Sequence, residues 1–285
     1  MPFKSYVVLL KLRIGAMIAL SAIMGYVAIA REVRALEIVA LALAMALGSA
    51  AASMFNHFYD RDIDRLMKRT AGRPLALGLL PRPGAVLPIA AALLVGGLAL
   101  ALLAFNLVVA IHLFLGAFIY AVVYTVWLKR RTWINIVIGG AAGSFAVLAG
   151  GAAVDPGHWA LPTMLAVTLF LWTPSHFWSL AILLREDYAR AGVPMLPVLI
   201  GDARTARAIL ANSVLLVGSA ALPWATGHLG NAYGLISALL GAALLAGNLK
   251  LARTPSPVWA RRNFFGSMYW LVGLFLAVLV DVNWP

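Results

Sequence analysis

The chain contains no cysteine among its 285 residues, so disulfide bridges and thiolate metal ligands are excluded. It also has few charges: 11% of the residues are Asp, Glu, Lys or Arg, against roughly 25% in soluble domains. The mean hydropathy is +0.94, and 63% of the residues are hydrophobic. Such a chain cannot cover a soluble surface with charge, so its predicted solvent is lipid.

Acidic residues are the scarcer charged group, with 10 Asp and Glu against 22 Lys and Arg. In a soluble protein the formal net charge of +12 would suggest a nucleic-acid partner. Here the basic residues stand at the ends of apolar stretches, and we predict no nucleic-acid partner. If the N-terminus is cytoplasmic, only Arg31 and Arg34 lie outside, which agrees with the positive-inside rule.

Seven stretches lack Asp, Glu, Lys and Arg altogether: 14–30, 38–55, 84–128, 132–154, 156–184, 208–249 and 263–280. A membrane-spanning helix needs about 20 apolar residues. The 84–128 stretch would form a helix of roughly 68 Å, about twice the hydrocarbon thickness, so we predict a turn near Asn106. The 208–249 stretch is predicted to turn between Pro223 and Asn231, where Gly and Pro residues accumulate.

These stretches predict an all-α integral membrane protein with nine transmembrane helices. Because lipid offers no water to backbone polar groups, a helical bundle is expected. The positive-inside pattern places the N-terminus in the cytoplasm, and the odd helix number then places the C-terminus outside. No separate soluble region is visible, so residues 1–285 are predicted to form a single polytopic membrane domain.

The stretch NHFYDRDIDRLMKRTAGRP, residues 56–74, concentrates charge in an otherwise apolar chain. If the helix before it continues through 56–64, then Asn56, Asp60 and Asp64 fall within about 80° of one another. Asp62 then points nearly the opposite way. Mg²⁺ prefers carboxylate oxygens together with water and phosphate oxygens. The stripe therefore predicts Asn56, Asp60 and Asp64 as Mg²⁺ ligands.

Basic residues follow this stripe at once. Lys68, Arg69 and Arg73 are predicted to hold the oxygens of a diphosphate. The alternative is that they are solvated helix ends that only set the topology. That alternative leaves three neighbouring aspartates unexplained, since acidic residues contribute little to the positive-inside rule. We therefore predict an Mg²⁺–diphosphate site at the cytoplasmic surface of the membrane.

A second stretch, WTPSHFWSLAILLREDYARAGVPMLPV, residues 172–198, predicts a helix that runs into a loop. Asp187 is predicted as a further metal ligand, and Tyr188 as a residue that orients it or reaches the diphosphate. Eleven residues rotate a helix by about 1100°, so two positions eleven residues apart point within roughly 20° of the same direction. In an unkinked helix His176 and Asp187 would share a face, and an isoprenoid would pass His176. A hydrogen bond to a neighbouring helix is the alternative role for His176.

Four further residues near the cytoplasmic ends of helices are candidates for substrate binding. Tyr120 and Tyr124 lie one turn apart and either line the cavity or belong to an interfacial aromatic belt. Lys129 belongs to the short basic connection Lys129-Arg130-Arg131. Asn135 either touches the site or has a purely structural role.

The chain resembles the UbiA superfamily of intramembrane prenyltransferases, and within it the members that farnesylate haem b. The resemblance covers nearly the whole chain. It is carried by NHFYDRDIDRLMKRTAGRPL, YTVWLKRRTWINIVIGGAAGS, LFLWTPSHFWSLAI and REDYARAGVPMLPV. It implies the family's metal motif at Asn56, Asp60 and Asp64. It also implies catalytic roles for Asp187 and Tyr188 in a second segment, and for His176 as a haem-side histidine.

The resemblance implies an enzyme of the inner cell membrane whose active site faces the cytoplasm. The implied reaction transfers a farnesyl group from farnesyl diphosphate to a vinyl group of haem b, with Mg²⁺ as cofactor. The implied partners are the two substrates, the lipid bilayer and haem-copper oxidase assembly proteins.

Three other functions remain open at this stage. A related prenyltransferase could act on an aromatic quinone precursor or another tetrapyrrole. A transporter is disfavoured, because transporters place ionisable groups at the bilayer midplane, whereas these acids lie at the ends of the helices. A purely structural membrane subunit would not need the acidic stripe.

Overall fold

The computed structural model describes residues 2–283, and within that range every regular element is helical. The first half of the chain forms α1 (Pro2–Leu9), α2 (Leu12–Val27), α3 (Ala35–Tyr59), α4 (Arg61–Asp64), α5 (Val86–Ala104), α6 (Leu107–Phe118) and α7 (Asn135–Gly139). The second half forms α8 (Ala141–Val154), α9 (Ala160–Leu183), α10 (Arg185–Arg190), α11 (Leu196–Ala225), α12 (Asn231–Arg253) and α13 (Pro257–Asn283). A 3₁₀ turn, Pro83–Ala85, leads into α5, and α6 continues as a π-helix over Ile119–Leu128.

Among residues 2–283, eight helical segments are long and apolar enough to cross a membrane. They are α3, α5, α6 with its π-helical extension, α7 with α8, α9, α11, α12 and α13. The apolar helix α2 has 16 residues, a length of about 24 Å against a hydrocarbon core of about 30 Å. The predicted count of nine therefore depends on α2.

Both long apolar stretches divide where the sequence predicts. Asn106 stands between α5 and α6, and its Oδ1 accepts a hydrogen bond from the N–H of Val109 at 3.0 Å. This is an N-cap, which satisfies one of the free donors at the start of the helix. The second stretch divides between Ala225 and Asn231. Both turns are thereby confirmed.

The long helices pack in chain order around the bundle, and α13 closes the ring against α2. One apolar cluster joins α8, α9, α11, α12 and α13, with Leu165, Leu216 and Leu274 fully buried. A second cluster joins α2, α3, α5, α6 and α8 around Leu41 and Val109. Because α8 contributes to both clusters, it couples the two halves of the bundle.

Glycine brings α2 and α8 into backbone contact. A Cβ atom on Gly25 would lie 2.0 Å from the carbonyl oxygen of Val147, and one on Gly150 would lie 1.8 Å from that of Ala22. Any side chain at either position would therefore push the helices apart. Small residues serve the same purpose in membrane helix pairs, where van der Waals packing replaces the hydrophobic effect as the driving force.

The polar connections emerge on one side of the bundle, because successive spanning helices alternate in direction. This side, here called the polar face, carries the connections 60–82, 129–134, 184–195 and 254–256. The connections on the opposite side are 28–34, 105–106, 155–159 and 226–230. The fold thus gathers both charged stretches that the sequence singles out onto one face.

Candidate active site on the polar face

The acidic stripe lies where α3 ends. The predicted continuous helix through 56–64 is interrupted at Asp60, whose φ of −87° and ψ of 3° separate α3 from α4. The backbone register nevertheless continues, since Asp60 N–H donates to Asn56 O and Asp64 N–H donates to Asp60 O. Asn56, Asp60 and Asp64 are at most 2% exposed. Asp62 points away, with 61% of its side chain exposed.

Each buried carboxylate of the stripe is paired with a cation. Lys129 Nζ donates to Asp60 Oδ2, and Arg73 donates twice to Asp64, at 2.7 and 2.9 Å. Asp60 Oδ1 is buried and accepts no hydrogen bond, although Arg130 lies 3.6 Å from it. One carboxylate oxygen of Asp60 therefore retains its full capacity to bind a further cation.

The π-helix positions three of the residues that face this stripe. Its wide turns bond each N–H to the carbonyl five residues earlier, as Lys129 N–H does to Tyr124 O at 2.8 Å. Thr125 thereby meets Asn56, which donates to its Oγ1 at 3.1 Å. The rings of Tyr120 and Tyr124 stack with centroids 5.6 Å apart. π-helical turns occur frequently at functional sites.

Lys11 completes the polar cluster, although it is not among the residues predicted for the site. Its Nζ donates to Asn56 Oδ1 at 2.7 Å and to Tyr120 Oη at 3.1 Å. Lys11 caps α2 in a left-handed conformation, with φ of 48°. Burial, together with the positive charges of Arg73 and Lys129, lowers the pKa of Lys11 to about 7. In the sequence, Lys11 stands at the end of the apolar stretch YVVLL, two residues before Arg13.

His57 is a second residue that sequence reasoning missed. It follows Asn56 directly, it is 2% exposed, and neither ring nitrogen has a hydrogen-bond partner among residues 2–283. A buried imidazole without partners is costly. The signal available in the sequence was its place beside the predicted metal ligand Asn56.

The second charged stretch is predicted as a helix that runs into a loop, and the structure divides it into α9 and α10. α9 ends at Leu183, and Leu184, with φ of −111° and ψ of 18°, separates it from α10. The prediction of a common face for His176 and Asp187 applies to an unkinked helix, whereas the structure has two helices there. Backbone bonds still cross the break, since Tyr188 N–H donates to Leu184 O at 3.0 Å. Asp187 accepts hydrogen bonds from the Arg69 N–H at 3.1 Å and from the Arg190 side chain at 2.8 Å.

Tyr188 ties the two loops together. Its hydroxyl accepts a hydrogen bond from Arg69 at 3.4 Å, and burial raises its pKa. Its ring belongs to an apolar cluster that also contains Ile63, Met67 and Val193. Residues from 60–82 and from 184–195 therefore pack as one unit, and Arg69 connects the acidic stretch to Asp187.

The four predicted metal ligands do not form one compact group. Asn56 and Asp60 are in direct contact, with Asn56 Nδ2 donating to Asp60 Oδ2 at 2.6 Å, and Asp64 lies one turn beyond. Asp187 lies across the loop that contains Arg69. Throughout residues 2–283, no three His, Asp or Glu side chains lie close enough to hold one metal ion.

Three other predicted residues have different surroundings. His176 is stacked between Trp172 and Phe264, with ring centroids at 4.2 and 4.4 Å, so it lies between α9 and α13. Asn135 is buried and donates to Lys129 O at 3.2 Å, which supports the connection that carries Lys129. Lys68 is exposed on the surface of the acidic loop.

An apolar cavity of about 70 Å³ lies inside the bundle next to the polar cluster. Its walls come from α2, α3, α6 and α8 and include Ile18, Met45 and Leu113. Tyr120 belongs to both regions: it lines the cavity and accepts the hydrogen bond from Lys11. A ligand with an anionic head and an apolar tail would match this arrangement of charge and apolar surface.

Comparison with known proteins identifies the family. The sequence profile of the UbiA prenyltransferase family matches residues 16–273. Protoheme IX farnesyltransferase 1 of Paramagnetospirillum magneticum is 59% identical over 284 residues, covering all of both chains. The protoheme IX farnesyltransferase of Granulibacter bethesdensis is 39% identical, covering 97% of this chain and 90% of its own.

Solved structures show the same fold at lower identity. A digeranylgeranylglyceryl phosphate synthase superimposes with a TM-score of 0.82 at 21% identity, over 98% of both chains. A UbiA homologue from Archaeoglobus fulgidus, bound to DMAPP and Mg²⁺, gives a TM-score of 0.69 at 20% identity, over 97% of this chain and 99% of its own. Since the family profile and full-length relatives cover nearly all of it, the chain belongs to the UbiA prenyltransferase family.

Proposed function

We propose that this prenyltransferase moves the farnesyl group of farnesyl diphosphate onto a vinyl group of haem b. The observation that carries the proposal is the buried cluster of carboxylates and cations beside an apolar cavity, in a chain 59% identical to a protoheme IX farnesyltransferase. The reaction breaks the C–O bond to the diphosphate. The vinyl group attacks the resulting allylic cation, and water adds to give a hydroxyethylfarnesyl side chain.

The proposal includes a topology. Counting α2 gives nine spans in one polytopic domain, with the N-terminus in the cytoplasm and the C-terminus outside. The supporting pattern is the distribution of basic residues, since only Arg31 and Arg34 lie on the side opposite the polar face. The active site then faces the cytoplasm at the inner cell membrane. We also propose haem-copper oxidase assembly proteins as partners of this protein.

The donor atoms of the polar cluster fit Mg²⁺. Asn56, Asp60 and Asp64 offer hard oxygen ligands, and Asp60 Oδ1 is buried without a hydrogen-bond partner. Asp187 is proposed to bind a metal ion from the other side of the loop. When bound, Mg²⁺ supplies Lewis-acid stabilisation of the negative charge on the departing diphosphate.

The cations of the cluster are proposed to exchange partners when substrate binds. Lys129 and Arg73 now neutralise Asp60 and Asp64. If those carboxylates held Mg²⁺, both cations would be free to donate to diphosphate oxygens. Arg69 and Lys68, on the same loop, extend this anion-binding surface, and Lys11 approaches it from α2. The charge of the leaving group is then met by preorganised donors.

The apolar cavity and the stacked tyrosines are proposed to hold the part of the prenyl chain next to the diphosphate, since a volume of about 70 Å³ is too small for the whole chain. Tyr120 stands at the junction of the cavity and the polar cluster. The faces of Tyr120 and Tyr124 carry the negative quadrupole that stabilises a nearby cation. Exclusion of bulk water from the cavity would protect the allylic cation from premature quenching.

His176 is proposed to position the porphyrin, as an axial ligand of the haem iron. Its Nδ1 lies 2.8 Å from Ser267 Oγ, so a hydrogen bond there leaves Nε2 for the metal, as a supporting partner does for metal-binding histidines. A His176→Ala protein should bind haem with an altered absorption spectrum. Full activity with an unchanged spectrum would exclude the role.

A product assay tests the function and separates the candidate acceptors. Purified protein receives farnesyl diphosphate and Mg²⁺ with either haem b or an aromatic quinone precursor, and the products are weighed by mass spectrometry. We expect a haem product heavier by one farnesyl group plus one hydroxyl group, with the second proton of the water released, and roughly 10²-fold less of this product, or lower, from Asp60→Asn protein. Prenylation of the aromatic acceptor alone would contradict the haem assignment. Flux of substrate across liposomes without any product would instead favour a transporter.

A further inference from the structure

A groove on the outside of the bundle is separate from the proposed active site. It runs between α12 and α13, with a volume of about 320 Å³. Leu240 and Gly247 line it on α12, and Gly266 and Trp270 line it on α13. A Cβ on Gly266 would meet nothing within 4 Å, so the groove is open there. Tyr269 forms its lip and is 74% exposed, as expected for a surface that faces lipid.

Basic residues crowd the end of this groove at the polar face. Lys250 and Arg253 end α12, and Arg261 and Arg262 lie in the second turn of α13. Throughout residues 2–283 none of the four has a carboxylate within 4.0 Å, the distance of a salt bridge. Their charges therefore have no partner within the described chain.

Trp259 organises two of these cations at the mouth of the groove. The Lys250 ammonium lies 5.2 Å from the centroid of the Trp259 ring, and the Arg262 guanidinium lies 4.7 Å from it. Both distances are within the range of cation–π attraction. A tryptophan flanked by Lys and Arg is the arrangement expected at the headgroup level of a bilayer.

Trp270 provides an independent sign of a ligand. Its side chain is 2% exposed and lines the groove, and its Nε1 is buried with no hydrogen-bond partner among residues 2–283. Side chains on a helix generally lean toward its N-terminus, and the N-terminus of α13 lies at the polar face, where Arg262 lines the same groove. The groove thus presents cations at its mouth, an unused N–H donor below them, and apolar walls beyond.

We propose that this groove binds an anionic phospholipid of the leaflet at the polar face. The phosphate would lie among Lys250, Arg262 and their basic neighbours, an ester carbonyl would accept from Trp270, and an acyl chain would follow the glycines. Basic pockets between helices on the cytoplasmic side of a membrane are typical sites for such lipids. A second copy of this chain fits less well, because the same four cations on each copy would repel one another.

Lipid retention measured by mass spectrometry tests the proposal. Full-length protein is placed in nanodiscs of phosphatidylcholine doped with phosphatidylglycerol. The protein is then released from the nanodiscs, and the lipids that stay bound to it are identified and counted by mass spectrometry. We expect the wild type to retain phosphatidylglycerol selectively. Each basic residue removed should weaken binding about fivefold, so a double K250Q and R262Q protein should bind roughly thirtyfold more weakly. Trp270→Phe, which replaces the indole with a smaller aromatic ring that has no N–H, should weaken binding roughly threefold.

Arg204→Gln is the matched control, because Arg204 is exposed on α11, outside the groove. It should retain phosphatidylglycerol like the wild type. Equal loss in the control and the double variant would overturn the proposal, because it would show only diffuse attraction to surface charge. Retention of phosphatidylcholine in equal amount would also overturn it. So would a dimer that forms through the groove and excludes lipid, detected as doubled mass.

Discussion

The ion pair between Arg73 and Asp64 allows a direct test of the proposed exchange of cations. Arg73 donates to both carboxylate oxygens of Asp64, at 2.9 and 2.7 Å. Asp64 is 3% exposed and Arg73 is 23% exposed at the side chain. No other side chain of the described range bonds to the Asp64 carboxylate. An Arg73→Gln substitution therefore leaves a buried carboxylate without its cation.

The expected cost follows from this burial. Removing one partner of a fully buried ion pair costs about 3–5 kcal/mol. Because the guanidinium keeps some contact with solvent, we expect the lower end, about 3 kcal/mol. At about 2–4 °C per kcal/mol, the unfolding midpoint without metal should fall by roughly 6–12 °C. If Mg²⁺ binds Asp64, it replaces the missing cation, and adding Mg²⁺ should return the midpoint toward that of the wild type.

Thermal unfolding of purified protein, followed by intrinsic fluorescence with EDTA or with Mg²⁺, measures both effects. Lys68→Gln is the control, because it removes the same charge from the same loop but Lys68 is exposed and has no carboxylate partner in the described chain. The Lys68→Gln substitution should change the free energy of unfolding by less than roughly 0.5 kcal/mol, with a correspondingly small change in the unfolding midpoint. The exchange would be refuted if the two substitutions lowered the unfolding midpoint equally. It would also be refuted if Mg²⁺ raised the midpoint of the Arg73→Gln protein no more than it raises that of the wild type.

Three further predictions address the site and the fold. Asp60→Asn should lower turnover roughly 10²-fold or more, whereas Asp62→Asn should leave it near the wild-type rate, and comparable losses in both would contradict the metal assignment. Lys11→Gln should raise the KM for farnesyl diphosphate more than it lowers kcat, and steady-state kinetics in which KM does not change would show that Lys11 only supports the fold. Gly150→Ala should destabilise the protein by about 3 kcal/mol or more, since its Cβ would lie 1.8 Å from Ala22 O; an unchanged unfolding midpoint would show that α2 and α8 can separate freely.

Most of the fold could be predicted from the sequence, because lipid restricts which chains can span it. Charge-free stretches locate the long helices, and length alone requires the 84–128 stretch to turn. The side chain of Asn106 makes that position a good turn, since its amide caps α6 and also donates to Ala152 O at 2.8 Å. The length of α2 was less predictable: it ends at Val27, whereas the charge-free stretch continues to residue 30.

The candidate site was predictable only where its residues are close in sequence. Helical periodicity places Asn56, Asp60 and Asp64 on one side. It does not predict the π-helix, whose bonds to the fifth preceding residue bring Thr125 toward that stripe. Nor does it predict Lys11, which is 45 residues from Asn56 in the chain. Contacts of this kind depend on tertiary packing, and no local pattern encodes them.

The break at Leu184 changes how the two substrates are expected to meet. A common face of His176 and Asp187 depends on an unbroken helix between them, and Leu184 interrupts that helix. His176 instead faces α13 through Phe264 and Ser267, whereas Asp187 faces the acidic loop through Arg69. A porphyrin held by His176 would therefore lie against α9 and α13, whereas the prenyl chain would lie in the cavity lined by α2, α3, α6 and α8. Two separate approaches allow each substrate to bind before the other, so the order of binding should be random in steady-state kinetics.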